Sequence, residues 1–338
     1  MEKRERRATI YDVAHESGVS ITTVSRFLNN PSSVNTGTAE TIAAVMERLD
    51  YIPQGNAGRR AQREVGRIGI LTPFFPAPSF VQRLRGMVPV FKQHRHEMVV
   101  YTIESGEQLD EYVSSVPFIR RLDGIILMSV RLTPEQRRYL LDSGMETMMV
   151  DCEDTAFSSV VSDDYQGGMI AADLFVKKGY FPCAFIGDKN RDIAYSLHPS
   201  DVRFNGFLDQ LKKSGQTVNE AYILETDTEV EDTEKCIGHF IDSGKPLRAI
   251  FAMSDLQAIG AVRAIRSRGL RVPGDVAVLG FDDIDASGWM EISTINQHLA
   301  ESGRVAASLL SERIAHRDEP HVVQKINLQV TLVERGTT

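Results

Sequence analysis

Apolar positions along this chain follow two different spacings. From Thr9 to Asn30, TIYDVAHESGVSITTVSRFLNN, they recur three and four residues apart, the spacing of short helices with one buried face. Ile10, Val13 and Ala14 share a face of a first helix, and Val24, Phe27 and Leu28 share a face of a second. Thr9 is a good N-cap, with Asp12 three residues on for a capping-box-like pair. Gly18 stands where the chain must turn sharply, and glycine takes a positive φ at little cost. Ser20 is a second N-cap. This leaves Ile21, Thr22, Ser25, Arg26 and Asn29 to point outward. A short helix exposing small polar residues and one Arg is what reading a DNA major groove requires.

A third helical pattern follows, capped by Asn35 or Thr36, with Ile42, Val45, Met46 and Leu49 on one face. These residues suffice to close a small core with Val13, Val24 and Phe27, and the helix stops before Pro53. Gln54 to Glu64, QGNAGRRAQRE, has almost no apolar content and could not pack alone. From Arg67 the spacing changes. Short apolar strands (68–71, 98–101, 124–128 and 147–150) alternate with helical stretches (81–94 and 108–120). A second series starts near Asp163, with a helix opened by 163–172 and ending at Gly179, helices from 203 and over 254–265, and strands at 184–187, 249–252 and within 272–283. Strands alternating with helices predict parallel, doubly wound sheets. Ile326 to Val333 reads as one final strand, followed by a disordered end from Arg335 to Thr338.

Length and composition narrow this picture. The chain has 338 residues, about right for two or three domains, and is 42% hydrophobic and 25% charged. It has no run of about 18 apolar residues, so no membrane span is expected, and MEKRERRATI is not a secretory signal. Cys152, Cys183 and Cys236 are widely spaced and odd in number, which suits a reducing cytoplasm and free thiols. The net charge of −8 speaks at first against a nucleic-acid partner. Residues 1–63, however, carry nine Lys/Arg against seven Asp/Glu, so the acid excess lies in the body. Lys3, Arg4, Arg6 and Arg7 form either a solvated tail or a phosphate-contacting arm.

The motifs T-I-Y-D-V-A at 9–14, G-V-S at 18–20, T-V-S-R at 23–26, Asn29 and Y-I-P at 51–53 resemble the headpiece of the lactose-repressor (LacI/GalR) family of bacterial transcription factors. The resemblance continues through R-x-x-G-F at 203–207, S-D-x-x-A-x-G-A at 254–261, V-P-x-D-V-x-V-x-G-F-D-D at 272–283 and T-I-x-Q at 294–297. It implies an α/β protein with a three-helix helix-turn-helix headpiece over 1–53 and a hinge over 54–66. A two-lobed effector and dimerisation domain resembling periplasmic binding proteins would follow over 67–338. The expected first lobe is about 67–162 and 294–322, the second about 163–293 and 323–338. Gly179-Tyr180 replaces the family's more usual Gly-His.

By the same resemblance Ile21, Thr22 and Arg26 are base readers. Arg26 can donate two bonds to guanine, and Ile21 suits a thymine methyl. Thr9, Tyr11, Ser20, Thr23, Ser25 and Asn29 complete the DNA face, short donors suited to phosphates among them. Ser20 doubles as a helix cap, and Tyr11 suits a core aromatic with its hydroxyl at a phosphate. In the hinge, Ala57, Arg59 and Arg60 are the candidate minor-groove residues. Arg60 occupies the position of the family's wedge Leu, and Gly58 lowers helix propensity by roughly 1 kcal/mol. An Arg enters a narrow A·T groove but does not unstack bases, so little kinking of the operator centre is expected.

The effector site is expected between the lobes, at the carboxyl ends of the strands, as in other open α/β sheets. Its candidates are Asp151, Asp164, Arg203, Ser254, Asp255 and Asp282, with Phe75 and Phe80 as stacking faces. Asp255 is alternatively a plain helix cap, and Asp283 a loop support. Phe74, Phe75, Phe80 and Trp289 are alternatively core or interface. No nucleophile–base pair, metal-spaced His cluster or phosphate loop stands out, so no cofactor and no enzyme activity are expected. The reading is a cytoplasmic, homodimeric regulator of a palindromic operator, released by a small carbohydrate. Corepression by a phosphosugar or purine-type ligand is the alternative, and a solute-binding protein is the alternative from a different class. No Leu heptad follows Val333, which disfavours a lactose-repressor-type tetramer.

Overall fold

A computed structural model describes residues 9–29, 33–49, 65–119, 122–189, 194–197 and 199–338. The chain divides into two units, one ending at Glu64 and one running from Val65 to Thr338. The first holds three helices, α1 (Ile10–Ser17), α2 (Ile21–Asn29) and α3 (Thr36–Arg48). The caps do what their chemistry suggests. Thr9 accepts from the Asp12 amide while its own amide donates to the Asp12 carboxylate at 2.7 Å. Gly18 ends α1 at φ +67°. Ser20 accepts from the Thr23 amide at 3.1 Å, and Asn35, not Thr36, caps α3 through the Thr38 amide at 2.8 Å. Val13, Ala14, Val24, Ile42 and Val45 form the buried core, flanked by Ile10, Ile21, Phe27, Leu28 and Met46.

The second unit contains two six-stranded sheets. The first lobe's sheet comprises β1 (Gly66–Thr72), β2 (His96–Thr102), β3 (Gly124–Met128), β4 (Glu146–Val150), β5 (Ser158–Ser162) and β11 (Lys325–Leu328). Its order is β11-β5-β4-β3-β1-β2, and every pairing is parallel. The second lobe's sheet comprises β6 (Cys183–Asp188), β7 (Ile223–Thr226), β8 (Ala249–Ala252), β9 (Ala277–Asp282), β10 (Ser293–Asn296) and β12 (Thr331–Val333). Its order is β12-β10-β9-β8-β6-β7, and only β12 runs antiparallel to its neighbour. Central strands such as β3 and β8 are buried along their whole length. Helices covering both faces of a parallel sheet leave its strands no solvated side, hence their unbroken apolar runs.

Two helix pairs matter for the cleft. In the first lobe α4 (Pro78–Gln93) packs on α12 (Leu299–Ala315). In the second, α7 (Asp164–Lys178) packs on α8 (Pro199–Lys213). Each crossing is set by glycines. A Cβ on Gly168 would lie 2.0 Å from the Arg203 carbonyl oxygen, and one on Gly206 2.0 Å from that of Tyr165. In the first lobe a Cβ on Gly86 would lie 1.8 Å from the Ala300 carbonyl oxygen, and one on Gly303 2.0 Å from that of Arg83. The second glycine of D-D-Y-Q-G-G and the glycine of R-x-x-G-F are therefore there for close backbone approach.

Several expectations need correction. Ile326–Val333 is two strands, because the chain leaves one sheet after Leu328 and enters the other at Thr331. The lobe limits move accordingly. Residues 293–296 belong to the second sheet, the crossing falls at Gln297–His298, and residues 325–328 return to the first sheet. The C-terminal end is pinned rather than disordered. Thr337 is buried, and its carbonyl accepts from Val278 N at 2.8 Å. Arg335 pairs with Asp283 at 2.6 Å and donates to the Ile292 carbonyl. Short polar tails carry no periodicity, so these contacts were invisible in the pattern. Cys152 and Cys183 are buried thiols, both pushed up to about 12 chiefly by burial, and Cys236 is half-buried. No described helix is long and apolar enough to cross a membrane.

Overfilling a backbone contact of this kind strains both helices. Gly206→Ala is expected to destabilise the protein by about 2–3 kcal/mol, read as a lower urea midpoint. An unchanged midpoint would show that the close approach of α7 and α8 carries no energetic weight.

Candidate DNA-reading face and inter-lobe cleft

Helix α2 presents its residues unequally. Ser20 and Arg26 are exposed, and Thr22 and Thr23 are half-buried. Ile21 is half-buried and packs against the headpiece core. Ser25, expected to face outward, is buried. Ile21, Val24, Ser25 and Leu28 follow the i, i+3, i+4, i+7 stripe, so Ser25 lies on the core side of the helix. Tyr11 is 45% exposed, so its ring is not part of the headpiece core. Thr9 is half-buried and occupied by its capping box. The Asn29 side chain and the hinge residues Ala57, Arg59 and Arg60 lie outside the described residues.

The cleft is built from strand ends. Asp151 follows β4 and Asp282 ends β9. Both hold positive φ, +58° and +119°, as do Ser129 after β3 and Asp283 after Asp282. Non-glycine residues in such conformations cost of order 1–3 kcal/mol each and cluster at ligand-binding positions. Their side chains meet in one buried chain of contacts. Asp164 accepts from Arg203 Nε at 2.8 Å. Arg203 Nη1 donates to the Met253 carbonyl and lies 3.8 Å from Asp282 Oδ1. Asp282 accepts from the Gln297 amide, and Gln297 Oε1 accepts from Arg83 Nη2 at 3.2 Å. Arg83 pairs with Asp151 at 3.0 Å, and Asp151 accepts from the Ser129 hydroxyl at 2.7 Å.

Burial decides the electrostatics. Arg83 and Arg203 are 2% and 3% exposed. Burial pushes Asp282 up to about 6, against the opposing pull of Arg203, Arg83 and the Gln297 bond. Asp164 is also raised by burial, with Arg203 opposing. Burial works against the Arg203 cation, but Asp164 and Asp282 outweigh it and hold its pKa above the ordinary value. The Arg203 guanidinium stacks on Phe281, 3.7 Å from the ring centre. Such a set presents both acceptors and donors, as a hydroxylated ligand requires.

Asp151, Asp164, Arg203 and Asp282 are thus brought together. Ser254 and Asp255 are not part of that chain. Ser254 is the N-cap of α10 (Asp255–Ser267), accepting from the Gln257 amide, so Asp255 is not the cap. Asp255 is fully buried, with one oxygen on the Ile284 amide at 2.9 Å and the other on the Thr294 hydroxyl at 2.6 Å. Burial pushes it up to about 8, and it holds the β9 loop rather than facing the cleft. Phe80 is first-lobe core, its ring 5.4 Å from Phe74, whereas Phe75 is 39% exposed. Trp289, on α11 (Asp285–Trp289), is 82% exposed. Arg83, Ser129, Phe281 and Gln297 were missed. Gln297 closes the T-I-x-Q motif, and Arg83 carries the R-x-x-G spacing of Arg203, so both had a readable signal.

The lobes also meet at the rim. The Gln82 side chain accepts from Asp285 N at 2.6 Å, and Arg85 forms two bonds to the Asp285 carboxylate. Across the cleft, Arg131 N donates to the Tyr195 carbonyl, and Leu197 N to that of Ser129.

A helix-turn-helix headpiece joined to a two-lobed binding domain defines a DNA-binding transcriptional regulator with an effector-binding domain. Comparison with known proteins agrees. Residues 9–54 match the bacterial regulatory proteins, lacI family, and residues 172–338 a periplasmic binding protein-like domain. The chain thus joins a lacI-family helix-turn-helix to a periplasmic-binding-protein-like domain. It is 29% identical to the HTH-type transcriptional repressor PurR of Haemophilus influenzae over 92% of this chain and 93% of that one. It is 28% identical to the HTH-type transcriptional regulator RegA of Clostridium saccharobutylicum over 98% and 99%. Among solved structures, the fold matches a lac repressor dimer bound to operator and the anti-inducer ONPF with a TM-score of 0.69. That match is 24% identical and covers 98% of this chain and 99% of the other. A CelR–cellobiose complex gives 0.70 at 23% identity, covering 98% and 100%.

Arg26 is exposed, so its loss leaves the headpiece core intact. If it reads a guanine, Arg26→Ala weakens operator binding by about 1–3 kcal/mol in a fluorescence-anisotropy titration. Wild-type affinity in that variant would remove Arg26 from the base-reading set.

Proposed function

We propose that this protein is a cytoplasmic repressor that binds a palindromic operator as a homodimer and is released by a small carbohydrate held between its lobes. The observation that carries this reading is the buried chain from Asp164 to Asp151, which offers paired donors and acceptors at the carboxyl ends of both sheets. The carbohydrate is further supported by structural neighbours described with cellobiose and with ribose. Ile21, Thr22 and Arg26 are the proposed base readers, with Thr9, Tyr11, Ser20 and Thr23 at phosphates. The hinge residues Arg59 and Arg60 are proposed minor-groove contacts. Ligand shifts the lobes, and through them the headpieces, only by its differential affinity for the two arrangements.

Dimerisation follows from recognition. One headpiece contacts too few bases for specificity, and two-fold symmetry matches a palindrome. An apolar surface is available for it. Val81 and Val88, one exposed face of α4, are 42% and 49% exposed, and Met290 is 37% exposed beside Trp289. Arg85, between the two valines, ties this face to α11.

A gel shift with palindromic and half-site duplexes tests the operator reading, with a sugar panel as the second arm. Retention of the palindrome, little binding of the half-site and release by one sugar are expected. Indifference to every palindrome, or tighter retention with sugar, would contradict the respective arm. In sedimentation velocity, Val88→Asp combined with Trp289→Asp is expected to convert the dimer to monomer at micromolar concentration. An unaltered dimer would place the interface elsewhere.

A further inference from the structure

Arg83 and Arg203 occupy equivalent places in the two lobes. Each stands three residues before a glycine, in R-L-R-G-M at 83–87 and R-F-N-G-F at 203–207. In each lobe the carbonyl of that Arg meets a glycine of the partner helix: Gly303 for Arg83 and Gly168 for Arg203. The glycine after each Arg meets the residue three before that partner glycine, Ala300 and Tyr165 respectively. The backbone around the two arginines is thus one arrangement used twice. Each guanidinium is buried and paired with a carboxylate of the cleft, Arg83 with Asp151 and Arg203 with Asp164. Gln297 and Asp282 join the two pairs.

The pairs differ in how completely they are satisfied. Arg203 Nε has Asp164, whereas Arg83 Nε is buried without a hydrogen-bond partner among the described residues. The buried Thr72 hydroxyl, at the carboxyl end of β1, also lacks one. A buried donor left unmade is costly, so these groups suit an oxygen acceptor brought by a ligand. The charge balance says which kind. Two guanidinium groups face three carboxylates, Asp151, Asp164 and Asp282. Neither cation is left over for a phosphate or carboxylate, which would instead meet Asp164 and Asp282 in a medium that screens poorly. A hydroxyl accepts from Arg83 and donates to a carboxylate at the same time.

Building on the reading that the cleft holds a carbohydrate, we propose that Arg83 is a ligand-contacting, specificity-determining residue of the first lobe. Together with Arg203 it clamps an uncharged polyol and excludes the phosphorylated or carboxylated form of the same sugar. Asp151 sets this preference by neutralising Arg83.

The test is isothermal titration of the full-length protein with neutral aldoses, their 6-phosphates and the matching uronates, for wild type, Arg83→Gln and Asp151→Asn. A neutral sugar is expected to bind wild type at least tenfold more tightly than either anionic form. Arg83→Gln is expected to weaken that sugar at least tenfold. Asp151→Asn, which leaves Arg83 unmatched, is expected to narrow the neutral-to-uronate ratio at least tenfold. Tighter binding of an anionic form by wild type, or wild-type sugar affinity in Arg83→Gln, overturns the proposal and leaves the carbohydrate reading standing. Should Arg83→Gln not fold, the Asp151→Asn ratio decides, and an unchanged ratio overturns it. Binding of no panel member overturns the carbohydrate reading itself, and this inference with it.

Discussion

Two guanidinium groups, Arg83 and Arg203, are held almost wholly out of water where the lobes meet. Removing an ion from water carries an effective penalty of about several kcal/mol even after relaxation. It is tolerable only when carboxylates and further hydrogen bonds sit in good geometry around it. Here Asp164, the Met253 carbonyl, Asp282, Gln297 and Asp151 supply that geometry, and they come from both lobes and from the crossing between them. The helices that carry the two arginines reach their positions because glycines let backbone touch backbone. Packing of small residues therefore decides where the charges stand, and the charges decide what the cleft can hold.

Much of this was legible in the sequence because it is local. The headpiece caps at Thr9, Ser20 and Asn35, the turn at Gly18 and the α1–α3 core all follow from spacing and side-chain chemistry. The alternation of strand and helix named the doubly wound sheets, and R-x-x-G-F and G-F-D-D pointed to Arg203 and Asp282. What failed was non-local or sat at a boundary between faces. Ser25 looks like a polar reader until its helical position places it beside Val24. Asp255 looks like a ligand until Thr294, from a distant strand, occupies one of its oxygens. Arg83 lies among Phe80, Leu84 and Met87 on a helix whose buried side is apolar. Its partner Asp151 follows β4, remote in sequence, so only the R-x-x-G spacing it shares with Arg203 marks it as internal. The C-terminal Arg335 and Thr337 were dismissed for the same reason, their partners Asp283 and Ser293 being remote in sequence.

The regulator reading joins two sites of opposite character. The headpiece exposes Arg26 and Ser20 to solvent, while the cleft hides its charges and balances them internally. A protein of net charge −8 can bind DNA in this way because the acid excess is confined to the body. Communication between the sites requires no wire. It requires that ligand prefer one arrangement of the lobes and operator the other, and such coupling is reciprocal by thermodynamic necessity.

That reciprocity is the most direct check on the account. Operator affinity would be measured with and without a saturating sugar, and sugar affinity with and without saturating operator. The account predicts that each ligand weakens the other, by the same factor within error. Cleft occupancy that leaves operator affinity unchanged would contradict it.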